Sequence, residues 1–208
     1  MSFLERAWGS FSRERAAGYL TTYGHPSPES RAIVADVLSR LARKGEISIL
    51  DLGCGNGGMS AYLHNRGVRV RYTGVDFSEP LLQAAREAHP AAMFVQDDVE
   101  TLANVKGPFD VALYSHVLEM LGSPQLSLQR AAKLARTVVV RFFEPPDGEV
   151  DIVEIREMDV GDRLVPYIRR TMSRDYYRLI LARAGCEAIE IYRCESAVDQ
   201  VHVLRFPQ

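Results

Sequence analysis

Residues 47–63, Ile-Ser-Ile-Leu-Asp-Leu-Gly-Cys-Gly-Asn-Gly-Gly-Met-Ser-Ala-Tyr-Leu, constrain this chain more than any other stretch. Ile47, Ile49 and Leu50 form a short apolar run of strand character. Gly53, Gly55 and Gly57 follow at alternate positions, with Gly58 next. Met59, Tyr62 and Leu63 then return at helical spacing, and Gly67 marks where the helix stops. A strand that dissolves into glycines and re-forms as a helix can bring main chain close to a ligand, because no Cβ stands in the way. The free N–H groups at the helix start favour an anionic or carboxylate group beside them. The pattern reads Asp51-x-Gly53-x-Gly55-x-Gly57, with an acid at the strand end. The third glycine of a dinucleotide fingerprint is met only through the Gly57-Gly58 pair.

The rest of the chain bounds what such a cradle serves. Its 208 residues, 47% of them hydrophobic, suit one α/β domain with a modest appendage. A net charge of −2 gives no field that would draw it to nucleic acid or to an anionic membrane. The only lysines are Lys44, Lys106 and Lys133, and no basic block stands out. The first residues lack the pattern of a signal peptide, and no apolar run approaches the length of a membrane span. Cys54, Cys186 and Cys194 are too few and too scattered for a disulfide framework or a zinc site. The expectation is a reduced, cytoplasmic protein, monomer or homodimer, with a small-molecule partner, no nucleic-acid or membrane partner and no metal.

The run Leu-Asp-Leu-Gly-Cys-Gly-Asn-Gly at residues 50–57 closely resembles the first motif of the class I S-adenosylmethionine-dependent methyltransferases. The resemblance implies a Rossmann-like α/β fold: a seven-stranded, mostly parallel sheet, helices on both faces, and an antiparallel C-terminal hairpin. That domain would span 47–208. It would be preceded by an N-terminal helical lid over 1–46 and would carry a substrate-covering insert at 149–172. S-adenosylmethionine would be the cofactor and S-adenosylhomocysteine the product. Asp51, Gly53, Cys54, Gly55, Asn56 and Gly57 would form the cradle.

Later stretches extend the resemblance. Tyr72-Thr73-Gly74-Val75-Asp76 ends the second strand, over 68–76, with Asp76 on the edge where open α/β sheets bind ligands. A carboxylate there can accept both hydroxyls of a ribose; Asp76, followed by Phe77, matches the family residue that does so. Ser78 is placed to cap a helix over Glu79–Ala88. After the third strand, 93–96, the resemblance puts an acid against the adenine amino group and the next N–H, from Val99, against the ring. Asp98 fits that place better than Asp97, and a helix start that favours acids also explains one of them. The fourth strand, 109–114, leads into Ser115-His116, where the family borders the methyl group. His116, with an unperturbed pKa near 6.5, is a candidate general base, or a group that only binds ligand or opens a helix. A helix over 125–136 and a fifth strand over 137–143 follow. Glu144 at that strand's end is a second candidate base or substrate acceptor, or a solvated loop carboxylate.

The insert alternates as an extended hairpin would, with a turn at Val160-Gly161-Asp162. Tyr167, Arg169 and Arg170 are candidate contacts for an acidic substrate, although six arginines and six acids between 150 and 178 balance, and such a face is usually solvated and internally paired. In the lid segment, Tyr19 and Tyr23 are candidate substrate contacts or simply packing aromatics. Ser173 caps a last helix over 174–184, and 187–192 and 201–206 form the closing strands. The implied reaction is methyl transfer to an oxygen or nitrogen of a small molecule. A methyltransferase acting on RNA or protein, a non-catalytic cofactor-binding module and a dinucleotide oxidoreductase are the rival readings.

Overall fold

The computed structural model describes residues 7–19, 28–195 and 199–207. Tyr23 and Ser27 fall outside these residues. Seven strands form one sheet in the order β3-β2-β1-β4-β5-β9-β8. They are β1 (Ile47–Leu52), β2 (Val70–Asp76), β3 (Met93–Gln96), β4 (Phe109–Ser115), β5 (Ala135–Phe143), β8 (Ala188–Arg193) and β9 (Asp199–Arg205). The first five run parallel, while β9 lies antiparallel between β5 and β8. The seven-stranded, mostly parallel sheet with an antiparallel C-terminal hairpin is the one that the resemblance implies. The order reverses between β1 and β4, so their carboxyl ends open a crevice, the usual ligand position of such sheets.

Every residue of β1 is buried, because helices cover both faces. Alternate strand residues face opposite cores. Leu50, Leu52, Ala112, Tyr114, Val138 and Val140 pack toward α5 (Pro124–Leu134) and α6 (Arg174–Ala184). Ile47, Ile49, Val111, Leu113 and Val139 pack with α2 (Pro28–Leu41), α3 (Gly58–Asn65) and α4 (Glu79–Ala88). Val34, Val37 and Leu38 of α2 are buried as their spacing predicts. At about 25 cal/mol per Å2 of apolar area, each fully buried leucine here contributes roughly 2 kcal/mol.

Two local expectations are corrected. β5 starts at Ala135 rather than at Thr137, and α5 ends at Leu134. Ala135 is already extended and pairs with Phe109, so pairing with β4 overrides the helical pattern there. Ser78 does sit at the N-cap of α4, but its hydroxyl bonds the Trp8 carbonyl at 2.7 Å instead of a helix N–H. Ser173 caps α6 as expected, accepting from the Tyr176 N–H.

The insert forms a separate two-stranded antiparallel sheet, β6 (Ile152–Asp159) and β7 (Leu164–Thr171). Its turn meets the N-terminal segment. Ser12 N–H donates to the Val160 carbonyl at 2.8 Å, and Arg15 pairs with Asp159 at 2.7 Å, beside α1 (Arg13–Ala17). Ala7, Phe11, Ala16, Leu81, Ala84, Met158 and Val160 form a third, smaller core beneath this junction.

Candidate active site

A cavity of about 420 Å3 opens at the carboxyl ends of β1, β2, β4 and β5, beneath the N-terminal segment and the hairpin. That is the size of a small-molecule site. Its β1 side is main chain. Gly53, Gly55 and Gly57 have φ of 75°, 56° and 78°, values that side chains disfavour. A Cβ on Gly53 would stand 2.4 Å from Val117 Cγ2, so the close approach of this loop to the β4 loop requires glycine. The Gly53 and Cys54 N–H groups both donate to the Val75 carbonyl, fastening the loop to β2.

Asp51 is buried at the end of β1 and accepts a hydrogen bond from the Tyr72 hydroxyl. Burial, with the nearby Asp76 adding, pushes its carboxyl up to about 7 against that bond. Its Oδ1 has no hydrogen-bond partner. Asp76 receives the Gly55 N–H on Oδ2 and the Ser78 N–H on Oδ1, each at 2.9 Å. Burial nevertheless raises its pKa above the ordinary carboxylate value. Asp51, Gly53, Cys54, Gly55, Asp76, Phe77, Val99 and Ser115 all line the cavity, as do Tyr19, Tyr167 and Arg169.

Five expected contacts stand elsewhere. Gly57 is not in the lining, and a Cβ there would meet the His89 and Phe94 side chains. Asn56 turns its amide to the Ala16 and Ala17 carbonyls at 3.0 and 3.2 Å, tying the glycine loop to the end of α1. Asp97 is buried but has both oxygens engaged, by the Asp98 and Asn104 N–H groups. Asp98 is exposed and accepts from the Glu100 N–H, so Val99 alone of this trio borders the cavity. Glu144 is exposed, outside the cavity, and accepts from Gln200 at 2.8 Å.

The opposite side of the cavity is a buried polar cluster. His116 has φ 57°, an uncommon conformation for its type and one that marks strained functional positions. Its Nδ1 is 3.1 Å from Glu119 Oε1, and its Nε2 is 3.4 Å from Asp199 Oδ2. Burial alone would lower its pKa, but the bonds to Asp199 and Glu119 carry it above the ordinary value. The two carboxylates that face its nitrogens therefore favour the protonated ring against the effect of burial. Arg141, almost wholly buried, donates to Ser30 at 2.8 Å and Ser115 at 2.6 Å, and its Nη2 lies 3.8 Å from Asp199. Burial lowers its pKa to about 10, so it stays charged near neutrality.

Comparison with known proteins decides which family the cavity and fold belong to. The profile of the family described as "Methyltransferase domain" matches residues 49–138. A trans-aconitate 2-methyltransferase of Paracidovorax citrulli is 35% identical over 156 residues, which cover 70% of this chain and 60% of that protein. One from Escherichia coli O1:K1 is 28% identical over 174 residues, covering 82% and 68%. This chain is a class I S-adenosylmethionine-dependent methyltransferase. The CcbJ methyltransferase of Streptomyces caelestis shares its fold, with a TM-score of 0.71 at 21% identity, over 97% of this chain and 98% of that one.

Several residues of the cavity escape sequence reasoning. Glu119, Arg141, Arg31 and Arg156 all line the cavity. Glu119 lies three residues after His116, a spacing that could have flagged the pair. Arg141 sits inside an apolar central strand, where a charge is a signal in itself. Nothing in the local sequence marks Arg31 or Arg156. Of the arginines between 150 and 178, Arg163, Arg174 and Arg178 pair with Asp162, Asp147 and Asp175, as a solvated surface would. Arg169 lies 4.0 Å over the Phe143 ring, faces the cavity, and has Glu154 4.0 Å from its Nε. Among the described residues, no group of His, Cys, Asp and Glu is placed to hold a metal ion, and no helix is long and apolar enough to cross a membrane.

Proposed function

We propose that this methyltransferase transfers the methyl group of S-adenosylmethionine to a carboxylate oxygen of a small organic acid. The observation that carries this is the convergence of Arg31, Arg141 and Arg169 on one cavity, with Arg156 at its exposed rim bonded to Glu154. Guanidinium groups match carboxylates in charge and in forked geometry. The trans-aconitate 2-methyltransferases among its relatives support the same acceptor class.

The residues present fit the cofactor. Gly53 and Gly55, both in left-handed conformation, line the cavity, where a Cβ would meet Val117 from Gly53 and come to 3.4 Å of the Tyr19 ring from Gly55. Asp51 offers an unpartnered buried oxygen to a cationic group. Asp76 retains acceptor capacity beyond its two backbone bonds, enough for a ribose diol. Phe77 and Val99 would border the adenine. The bound cofactor supplies an electrophilic sulfonium methyl, and the protein's part is alignment and exclusion of water.

The acceptor side needs no base. A carboxylic acid with a pKa near 4 is already an anion at neutral pH. This suits a site whose one histidine faces carboxylates through both nitrogens. The arginines would hold the acid while one oxygen attacks in line. Tyr19 and Tyr167, each packed against Trp8, would close over the pair.

Incubation with S-adenosylmethionine and a panel of small mono-, di- and tricarboxylic acids tests the reading. The expected result is S-adenosylhomocysteine together with a base-labile methyl ester. Methylation of amines or sugars, with no ester from any acid, would reject it.

A further inference from the structure

Buried polar atoms without hydrogen-bond partners gather around this cavity: Asp51 Oδ1, His116 Nε2, Glu119 Oε2, Arg141 Nη2 and Arg169 Nε, of which His116 Nε2 and Arg141 Nη2 face the Asp199 carboxylate, at 3.4 and 3.8 Å. Arginines suit a carboxylate and Asp51 suits a cationic cofactor, which leaves Glu119 unexplained. It sits in the 3-10 turn Leu118–Met120 that follows β4, and it is 2% exposed. A buried carboxylate oxygen without a donor is costly, so the site is incomplete until one arrives.

No neighbouring cation supplies it. His116 Nδ1 faces the other oxygen, Oε1, and Nε2 faces Asp199. Arg170 spends its guanidinium on the Glu119 and Leu121 carbonyls at 2.8 and 2.9 Å. Arg141 gives Nε to Ser30 and Nη1 to Ser115, while Nη2 is nearest Asp199. These contacts also pin the turn, so Glu119 is held in place.

We propose that the acceptor carries a hydrogen-bond donor, a hydroxyl or an ammonium group, beside its carboxylate, and that Glu119 Oε2 receives it. The inference rests on the carboxylate reading and narrows it to hydroxy or amino acids. Glu119 belongs to the β4 side of the cleft with Ser115 and Arg141, whereas Asp51 serves the β1 side. The donor therefore comes from the acceptor and not from the cofactor.

The test is calorimetric titration of the S-adenosylhomocysteine-loaded protein with matched acids: succinate with no donor, malate with a hydroxyl, aspartate with an ammonium. Malate, aspartate or both should bind on the order of tenfold more tightly than succinate. Glu119→Ala should erase that preference. Glu119→Gln, nearly isosteric and kept as the variant least disturbing to folding, should retain preference for a hydroxyl and lose it for an ammonium. S-adenosylmethionine affinity should be unchanged in both. The proposal fails if succinate binds as well as the others, if the preference survives Glu119→Ala, if the variants lose only cofactor affinity, or if none of the acids binds. Because binding is read without turnover, the two readings separate. Preference without ester formation would sink only the carboxyl-methylation reading, and ester formation without preference would sink only this one.

Discussion

The two sides of the cleft are made of different material. The β1–β2 side is main chain from one continuous stretch, with a single acid at each strand tip. Its groups are mostly satisfied internally: Asp76 holds the Gly55 and Ser78 N–H groups, and Gly53 and Cys54 hold Val75. The β4–β5 side is side chains drawn from α2, β4, β5, β7 and β9, with cations and anions interleaved and several valences open. A main-chain cradle recognises what every member of a fold class shares. A side-chain cluster recognises what one member alone must take. Changes on the first side should therefore abolish the protein's chemistry, and changes on the second should redirect it.

The largest effect is expected at Gly53. An alanine there must hold φ near 75° and place its Cβ against Val117. Left-handed strain costs about 1–2 kcal/mol and overpacking about 1–3. Gly53→Ala should lower Tm by roughly 5–15 °C and weaken cofactor binding by about a hundredfold, read by thermal melts and calorimetry. If this variant instead kept its cofactor and changed only its acceptor range, the division of labour would be broken. Asp76→Ala comes next. Loss of a charge-assisted hydrogen bond should raise the cofactor Kd about ten- to a hundredfold, with acceptor binding to the loaded protein unchanged.

The same contrast explains what was readable in advance. Glycine spacing, a strand-end acid and an apolar strand are local properties, so the β1–β2 side is legible in the residues themselves, whereas the sheet and its C-terminal hairpin are what the resemblance carried by that stretch implies. Asp97 and Asp98 show the limit. Their place at a strand end is right, but their oxygens go to local N–H groups, a turn detail that spacing does not reveal. On the other side, Arg31, Glu119, Arg141 and Arg169 meet only because α2, the β4 turn, β5 and β7 fold together. The charge count of the insert balances, and balance cannot tell which arginine stacks on Phe143 and which is paired in solvent.

Arg169 sharpens the second half of the comparison. Arg169→Ala removes a guanidinium from over Phe143 and from the cavity. Acceptor KM should rise about tenfold while kcat and cofactor Kd stay within about twofold, the signature of lost uniform binding. A fall in kcat with KM unchanged would instead place Arg169 at the reacting atoms.

A smaller, pH-dependent effect belongs to the β1 side. Asp51, buried beside Asp76, holds its proton up to about pH 7. A bound cation favours the carboxylate, so cofactor binding should release protons below that pH. Affinity should therefore rise severalfold from about pH 6 to about pH 7 and level off above. Binding enthalpy below pH 7 should vary with the ionisation enthalpy of the buffer. Asp51→Asn should flatten both dependences. The sign follows from Asp51 being raised when free; proton uptake on binding would show that the cation is held elsewhere.

The smallest effect is expected at Glu144. Position alone makes it a candidate base, since it ends β5 on the ligand edge. The structure leaves it exposed, outside the cavity and bonded to Gln200. Glu144→Gln keeps that shape and removes only the charge. Turnover and its pH profile should match the parent within about twofold, because an exposed charge outside the cleft is strongly screened. A carboxylate acceptor supplies its own anion, so neither Glu144 nor His116 has a proton to remove. A marked loss of turnover in Glu144→Gln that deepened toward neutral pH would reveal base catalysis. The acceptor would then have to be a protonated amine or hydroxyl, and the β4–β5 side would be a catalytic device as well as a recognition surface.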